Sequence, residues 1–268
     1  MQIFNQDIST WRAARAKLPE HTPLGFVPTM GNLHAGHMAL VTQSLHENQK
    51  TVVSLFVNPT QFNQSTDFEK YPRTLDDDIK MLEQAGVDYC LIPNPSDIYS
   101  DDYRYQVQEN EQSLILEGEH RPGHFTGVLT ILMKLFNLVK PTRVYMGEKD
   151  YQQLALTQGM IDAFFLDIEL RACPTIREPS NLALSSRNNR LSPAGRKQAD
   201  AFAQIFHAAA SCEEAKAALE KLDIFIEYIE DYQGRRLAAV QIEGVRLIDN
   251  YYLNSALSTH KKTRDNIR

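Results

Sequence analysis

Gly25-Phe26-Val27-Pro28-Thr29-Met30-Gly31-Asn32-Leu33-His34-Ala35-Gly36-His37 sets the architecture of this chain. A short apolar run enters a turn rich in proline and glycine, and helical periodicity follows from about Met38. The order is strand, phosphate-sized loop, helix N-terminus. The first N–H groups of a helix lack intrahelical partners, and with the helix dipole they attract anions. Gly31 and Gly36 allow a ligand to approach the backbone closely. His34 and His37 share one helical face, where imidazoles can donate to phosphate oxygens. The block points to a nucleotide-handling enzyme of the adenylyl-transfer kind.

Outward from this block, strand-like runs fall at 24–27, 51–57, 89–92, 143–146 and 168–172. Helical patterns lie between them, at 37–47, 74–85, 128–139 and 152–165. Such alternation predicts an α/β fold with a Rossmann-like parallel sheet, whose ligands bind at the carboxyl ends of the strands. The pattern changes after about Cys173. Helices are expected at 192–210 and 213–221, then strands at 224–230, 238–242 and 245–248 without intervening helices. This predicts a smaller C-terminal α+β domain, with domains at 1–175 and 176–268. The tail from Ser255 is polar and is expected to fray.

The bulk numbers narrow the class. A chain of 268 residues with 43% hydrophobic content is ordinary for a globular protein. A net charge of −6 argues against nucleic acid as the main partner. Cys90, Cys173 and Cys212 are odd in number and lack CxxC spacing, as expected of reduced cytoplasmic thiols. Residues 1–7 show no basic region followed by an apolar core, so no signal peptide is expected. The longest apolar stretch, from Gly127 to Val139, is too short to span a membrane and contains Lys134.

Five further stretches bear on the chemistry, most with a plainer alternative. Phe56-Val57-Asn58-Pro59-Thr60-Gln61-Phe62 ends the second strand; Asn58 and Gln61 offer amides for hydroxyls and carboxylates, or form an Asn-Pro turn. Arg121 in Glu117–Gly127 can grip a carboxylate or phosphate bidentately, or belong to a capped loop whose Thr126 starts the next helix. In Tyr145-Met146-Gly147-Glu148-Lys149-Asp150-Tyr151-Gln152-Gln153, Lys149 supplies a point charge for phosphate and Asp150 an acceptor for ribose or metal. The alternative there is a surface salt bridge at a helix start. Ser185, Ser186 and Arg187 form a possible triphosphate clamp close to the expected domain boundary. Asp76, Asp77 and Asp78 read better as a solvated, dipole-matched helix start than as a magnesium site.

Taken in order, these pieces resemble the pantothenate synthetase (pantoate–β-alanine ligase) family of the nucleotidyltransferase superfamily. The resemblance runs from about Gly25 to Asn250. It rests on Pro28–Gly31, His34–His37, Phe56–Phe62, Tyr71-Pro72-Arg73-Thr74, Arg121–Phe125, Gly147–Gln153, Leu184–Asn188 and Arg246-Leu247-Ile248-Asp249-Asn250. It implies a nucleotide- and pantoate-binding domain followed by a lid, in a cytoplasmic homodimer. The implied reaction joins (R)-pantoate to β-alanine with ATP and Mg2+, through a pantoyl adenylate, giving pantothenate, AMP and diphosphate. No protein nucleophile is needed.

By the same resemblance, ATP is bound by Met30, Gly31, Asn32, Leu33, His34, Ala35, Gly36, His37, Gly147, Glu148, Lys149, Asp150, Ile176, Leu184, Ser185, Ser186 and Arg187. Gln61 and Gln153 fall at the pantoate position, and Gln61 also near β-alanine. His37, His34, Lys149 and Arg187 are the catalytic candidates, His37 standing where the family's proton donor is placed. The metal ligands are not assigned. Asn32 stands in place of an expected alanine, Ser180-Asn181 in place of Asp-Gly, and the segment from Phe225 to Val245 looks shortened. Two other readings remain: a different small-molecule adenylyltransferase, and a nucleotide-binding regulatory module without turnover.

Overall fold

The computed structural model describes residues 1–5, 7–63, 68–69 and 71–253; the expected fraying from Ser255 lies outside them. Six parallel strands form one sheet: β1 (Gln2–Phe4), β2 (Leu24–Thr29), β3 (Lys50–Leu55), β4 (Tyr89–Leu91), β5 (Arg143–Gly147) and β6 (Glu169–Cys173). Their spatial order is β1-β4-β3-β2-β5-β6, so the winding reverses between β2 and β5, where open α/β sheets bind ligands. The long helices are α1 (Ile8–Ala16), α2 (Ala35–Glu47), α3 (Leu75–Ala85), α6 (His124–Val139) and α7 (Tyr151–Ala163), with short turns α4 (Pro95–Ile98) and α5 (Glu117–His120).

Strand alternation feeds two cores. Leu24 and Phe26 of β2 join Trp11, Phe136, Val139 and Met160 on one face, while Val27 joins Val41, Val53, Leu82 and Tyr145 on the other. Helices therefore cover both faces. The second core accounts for the cysteines: Cys90 and Cys173 are buried, and burial pushes their thiols up to about 12 and about 11. Such thiols stay protonated and are poor nucleophiles.

The sequence pattern missed β1 and α1. β1 has three residues at the sheet edge, and α1 is short, with Trp11 fully buried and Ile8 and Ala14 half-buried beside it, so neither shows a long period. The helix expected at 128–139 begins at His124, because left-handed Gly123 (φ 80°) caps it and its polar first turn is buried. Thr126 is thus inside the helix and does not start it.

The chain divides into two compact units. The first holds Met1–Ile176 and Leu184–Ser186, the second Arg177–Ala183 and the described residues from Arg187 onward. In the second, α8 (Pro193–Ala208) and α9 (Cys212–Glu220) share a core with an antiparallel meander of β7 (Phe225–Tyr232), β8 (Arg235–Ile242) and β9 (Val245–Tyr252). Both hairpins close on two residues of positive φ, Gln233-Gly234 (49°, 75°) and Glu243-Gly244 (52°, 73°). That turn matches strand twist and keeps the meander short.

Candidate active site

The loop after β2 is held by its own side chains. His34 caps α2: Gly36 N–H donates to His34 Nδ1 at 3.1 Å, and His34 N–H donates to His37 Nδ1 at 3.4 Å. Both Nδ1 atoms accept, so each neutral ring carries its hydrogen at Nε2. The rings lie 4.1 Å apart. Burial, then His34 and Lys149, drive the His37 pKa down to about 3; burial, then Lys149, lower that of His34. The pair therefore offers neutral Nε2–H donors near pH 7.

Asp78 holds the rest of the loop. It accepts the N–H of Asn32 and of Leu33, each at 2.8 Å, and the Thr74 hydroxyl at 3.2 Å. Asp76 and Asp77 are exposed, as expected of a solvated helix start, but Asp78 is buried. Two N–H groups of the loop ahead of the helix cap are thus held by a carboxylate of the protein itself. The glycines also answer to the protein itself. A Cβ at Gly31 would lie 2.9 Å from Asp78 Oδ2, and one at Gly36 2.9 Å from the His34 ring. Asn32 adopts φ 51°, which asparagine tolerates better than the expected alanine.

Across the switch point, Gly147 ends β5 and a single turn, Glu148–Asp150, leads into α7. Lys149 Nζ lies 3.9 Å from Asp150 Oδ1, a loose ion pair, and its charge acts on both histidines. The structure thus brings Met30–His37 together with Lys149.

The turn after β3 (Pro59–Gln61) abuts the loop: Gln61 Nε2 lies 2.9 Å from Met30 Sδ. Asn58 is almost fully buried and spends its amide internally. It donates to Gln61 Oε1 (3.1 Å) and Gly127 O (3.2 Å), and accepts from Tyr99 (2.5 Å) and Thr60 (3.1 Å). The Asn-Pro turn reading fits Asn58, whose bonds orient the Gln61 amide. Buried His124 donates Nδ1–H to Gln61 O at 2.8 Å and accepts from Arg121 at 3.1 Å, and burial drives its pKa down to about 3. Arg121 also donates to Gln61 O at 3.4 Å. Gln152 is buried and pinned to Glu117 N, Gln112 O and Ile115 O. Gln153, next in the chain, is partly exposed, and its amide has no protein partner among the described residues.

Ile176 and Leu184 are joined by a backbone hydrogen bond of 2.9 Å within the first unit. In the second unit, Arg177–Ala183 forms a hairpin closed by Asn181 N–H on Glu178 O (2.9 Å), with Asn181 at φ 76°. Asparagine does take the left-handed place expected of glycine. Arg187 donates to Arg246 O on β9 at 3.4 Å. The roles of Asp78, His124, Gln152 and Gly127 were missed from the sequence. Only Asp78 carried a signal, a third acid one helical step further into α3.

Comparison with known proteins agrees with this arrangement. The family model described as pantoate-beta-alanine ligase matches residues 3–252. A pantothenate synthetase of Legionella pneumophila (strain Corby) is 59% identical over 94% of this chain and 100% of its own length. One of Coxiella burnetii (strain Dugway 5J108-111) is 51% identical over 91% of this chain and 94% of its own. A crystal structure of the Francisella tularensis pantoate-beta-alanine ligase, complexed with beta-gamma ATP and beta-alanine, superposes with a TM-score of 0.90. It is 39% identical and covers 94% of this chain and 97% of that one. With the strand order, the paired histidines and the facing lysine in place, the chain belongs to the pantoate–β-alanine ligase family.

Proposed function

We propose that this chain condenses (R)-pantoate with β-alanine using ATP, through a pantoyl adenylate. The observation that carries the reading is the Gln61 amide against Met30, 2.9 Å away, which joins an acid-reading turn to the histidine loop. The Francisella tularensis complex with beta-gamma ATP and beta-alanine supports these two as substrates.

An oxide ion is a poor leaving group, so a carboxylate does not condense with an amine at neutral pH. Adenylation removes that obstacle. A pantoate carboxylate oxygen attacks the α-phosphorus, the bond to the β-phosphate oxygen breaks, and diphosphate leaves. Charge grows on phosphoryl oxygens, so catalysis is chiefly fixed positive potential. Lys149 supplies a full charge, and His34 and His37 supply neutral Nε2–H donors. In the second step the free amine of β-alanine attacks the carbonyl, gives up a proton, and AMP leaves. Gln61 and Gln153 hold the acid through both steps.

The nucleotide is assigned to Met30–His37, Gly147–Asp150, Ile176 and Leu184–Arg187, with Arg187 on the phosphates. No three His, Cys, Asp or Glu side chains cluster among the described residues, and magnesium would come with the phosphates of the nucleotide. Asp150, half-exposed beside Lys149, is the carboxylate assigned to reach it. The ion would neutralise phosphate charge. The second unit is assigned as a lid, because a mixed anhydride must be kept from water. Family likeness also supports a homodimer and a cytoplasmic location; no described helix is long and apolar enough to cross a membrane.

ATP–diphosphate exchange tests the reading. Label should exchange with pantoate present and β-alanine absent. Exchange with a different acid or nucleotide would reassign the substrate, and no exchange with any would leave a binding module.

A further inference from the structure

Arg246-Leu247-Ile248-Asp249-Asn250 of β9 anchors both ends of the Arg177–Arg187 segment. Asp249 has a side chain only 1% exposed, yet it is a carboxylate. Arg177 grips it with two parallel bonds of 2.8 Å, His207 Nε2 lies 3.0 Å from Oδ2, and Asn250 N–H donates to Oδ1 at 2.7 Å. Burial opposes the charge, but His207 and Arg177 outweigh it and lower the pKa. The same guanidinium donates to Asn181 O at 2.9 Å and Asn250 O at 3.0 Å. One side chain therefore ties β9 to the left-handed corner of the hairpin. At the far end Arg187 donates to Arg246 O, and Asn188 closes the base on Ala183 O at 3.0 Å.

A buried ion pair adds little stability over apolar residues of similar size. What it can add is a fixed register, here for the backbone leading into Leu184. We infer that Asp249 is a positioning residue for the nucleotide: by fixing Arg177 it sets the hairpin, and with it the Leu184–Arg187 stretch. The inference rests on the assignment of that stretch to ATP.

The test uses Asp249→Asn, Arg177→Lys, their double variant and Arg187→Ala in the full-length enzyme. KM for ATP should rise roughly 10- to 100-fold in Asp249→Asn, the usual cost of a misplaced binding group. KM for pantoate should hold, while the thermal midpoint should fall, because the Arg177 charge loses its buried partner. The double variant should be no worse than the poorer single, as for two residues acting as one unit. If Asp249→Asn does not fold, Arg177→Lys carries the test, since it keeps the charge and breaks the fork. Unchanged KM for ATP in both singles, while Arg187→Ala raises it, would overturn the positioning role. So would an equal rise in KM for pantoate and for ATP. An Arg187→Ala enzyme with normal KM for ATP would instead remove the assignment beneath it.

Discussion

Asp78 Oδ1 accepts the backbone N–H of Leu33 at 2.8 Å, although the two residues are 45 apart in sequence. With Oδ2 on Asn32, the first turn of α3 grips the loop that precedes α2. Replacing Asp78 by Ala leaves two loop amides without acceptors, at a cost of about 1–3 kcal/mol each if they stay buried. The expected result is a clear drop in urea midpoint and a fall in kcat/KM of about 100-fold from loop misplacement. Urea titration and steady-state kinetics on the same preparation check it. Parent-like values in both would free the loop from α3.

His37→Ala should lower turnover by roughly 10²–10³, the cost of one lost transition-state donor. ATP affinity, measured by calorimetry, should change far less. Because the His37 pKa is held near 3, its ring stays neutral through the physiological range. The pH–rate profile should then lack a histidine limb between about pH 6 and 7. A limb there that vanishes in His37→Ala would mean that the imidazolium is the working form.

Gln61→Ala and Gln153→Ala should each weaken pantoate binding roughly 5- to 150-fold, the equivalent of about 1–3 kcal/mol for an unpaired buried partner. ATP binding should stay nearly intact. Calorimetric titration with each substrate separately decides it. Loss of ATP binding with pantoate binding preserved would exchange the two subsites.

Helix α6 passes the Pro59–Gln61 turn with no room for a methyl group. A Cβ on Gly127 would lie 2.4 Å from Thr60 O and 2.8 Å from the Gln61 Cα. Gly127→Ala should cost about 1–3 kcal/mol as overpacking and raise KM for pantoate, since the displaced backbone carries Gln61. Thermal unfolding and kinetics read the two effects. A variant with normal KM would separate the turn from the acid site.

Acid should weaken the fold through the buried histidines. His37 and His124 have folded pKa values near 3, below the unfolded value of 6.5. Between those limits the unfolded chain binds the extra protons, so stability falls as pH drops from about 6.5. His124→Gln should flatten the dependence of unfolding free energy on pH by up to about 1.4 kcal/mol per unit. Urea midpoints from pH 6.5 down to about 4.5, at fixed protein concentration, test this. An unchanged slope would show that His124 is protonated in the native state.

The sequence displayed what is periodic or local. The strand–loop–helix order around Gly31, the meander beyond Cys173 and the left-handed place of Asn181 were all legible. Long-range partners were not. Asp78 looked like one of three helix-start acids, and only the fold shows that it is buried against Leu33. Asn58 and Gln61 looked equivalent as amides, yet Asn58 is consumed by Gly127, Tyr99 and Thr60. Gln152 and Gln153 are neighbours of the same type, and the helical turn alone makes one a buried pin and leaves the other partly exposed. α1 escaped notice because its stripe is short, one buried Trp11 between half-buried Ile8 and Ala14.

The pairing of β2 with β5 sets a timetable for synthesis. Leu24 N–H bonds to Thr142 Oγ1 across 118 residues, so the histidine loop leaves the ribosome long before its facing lysine. At about 5–20 residues per second, the interval is roughly 6–22 s. During that time β2, β3 and β4 can already associate, while the inner edge of β2 waits unpaired. The nascent chain passes through a stage with an open strand edge, a row of unpaired backbone N–H and C=O groups.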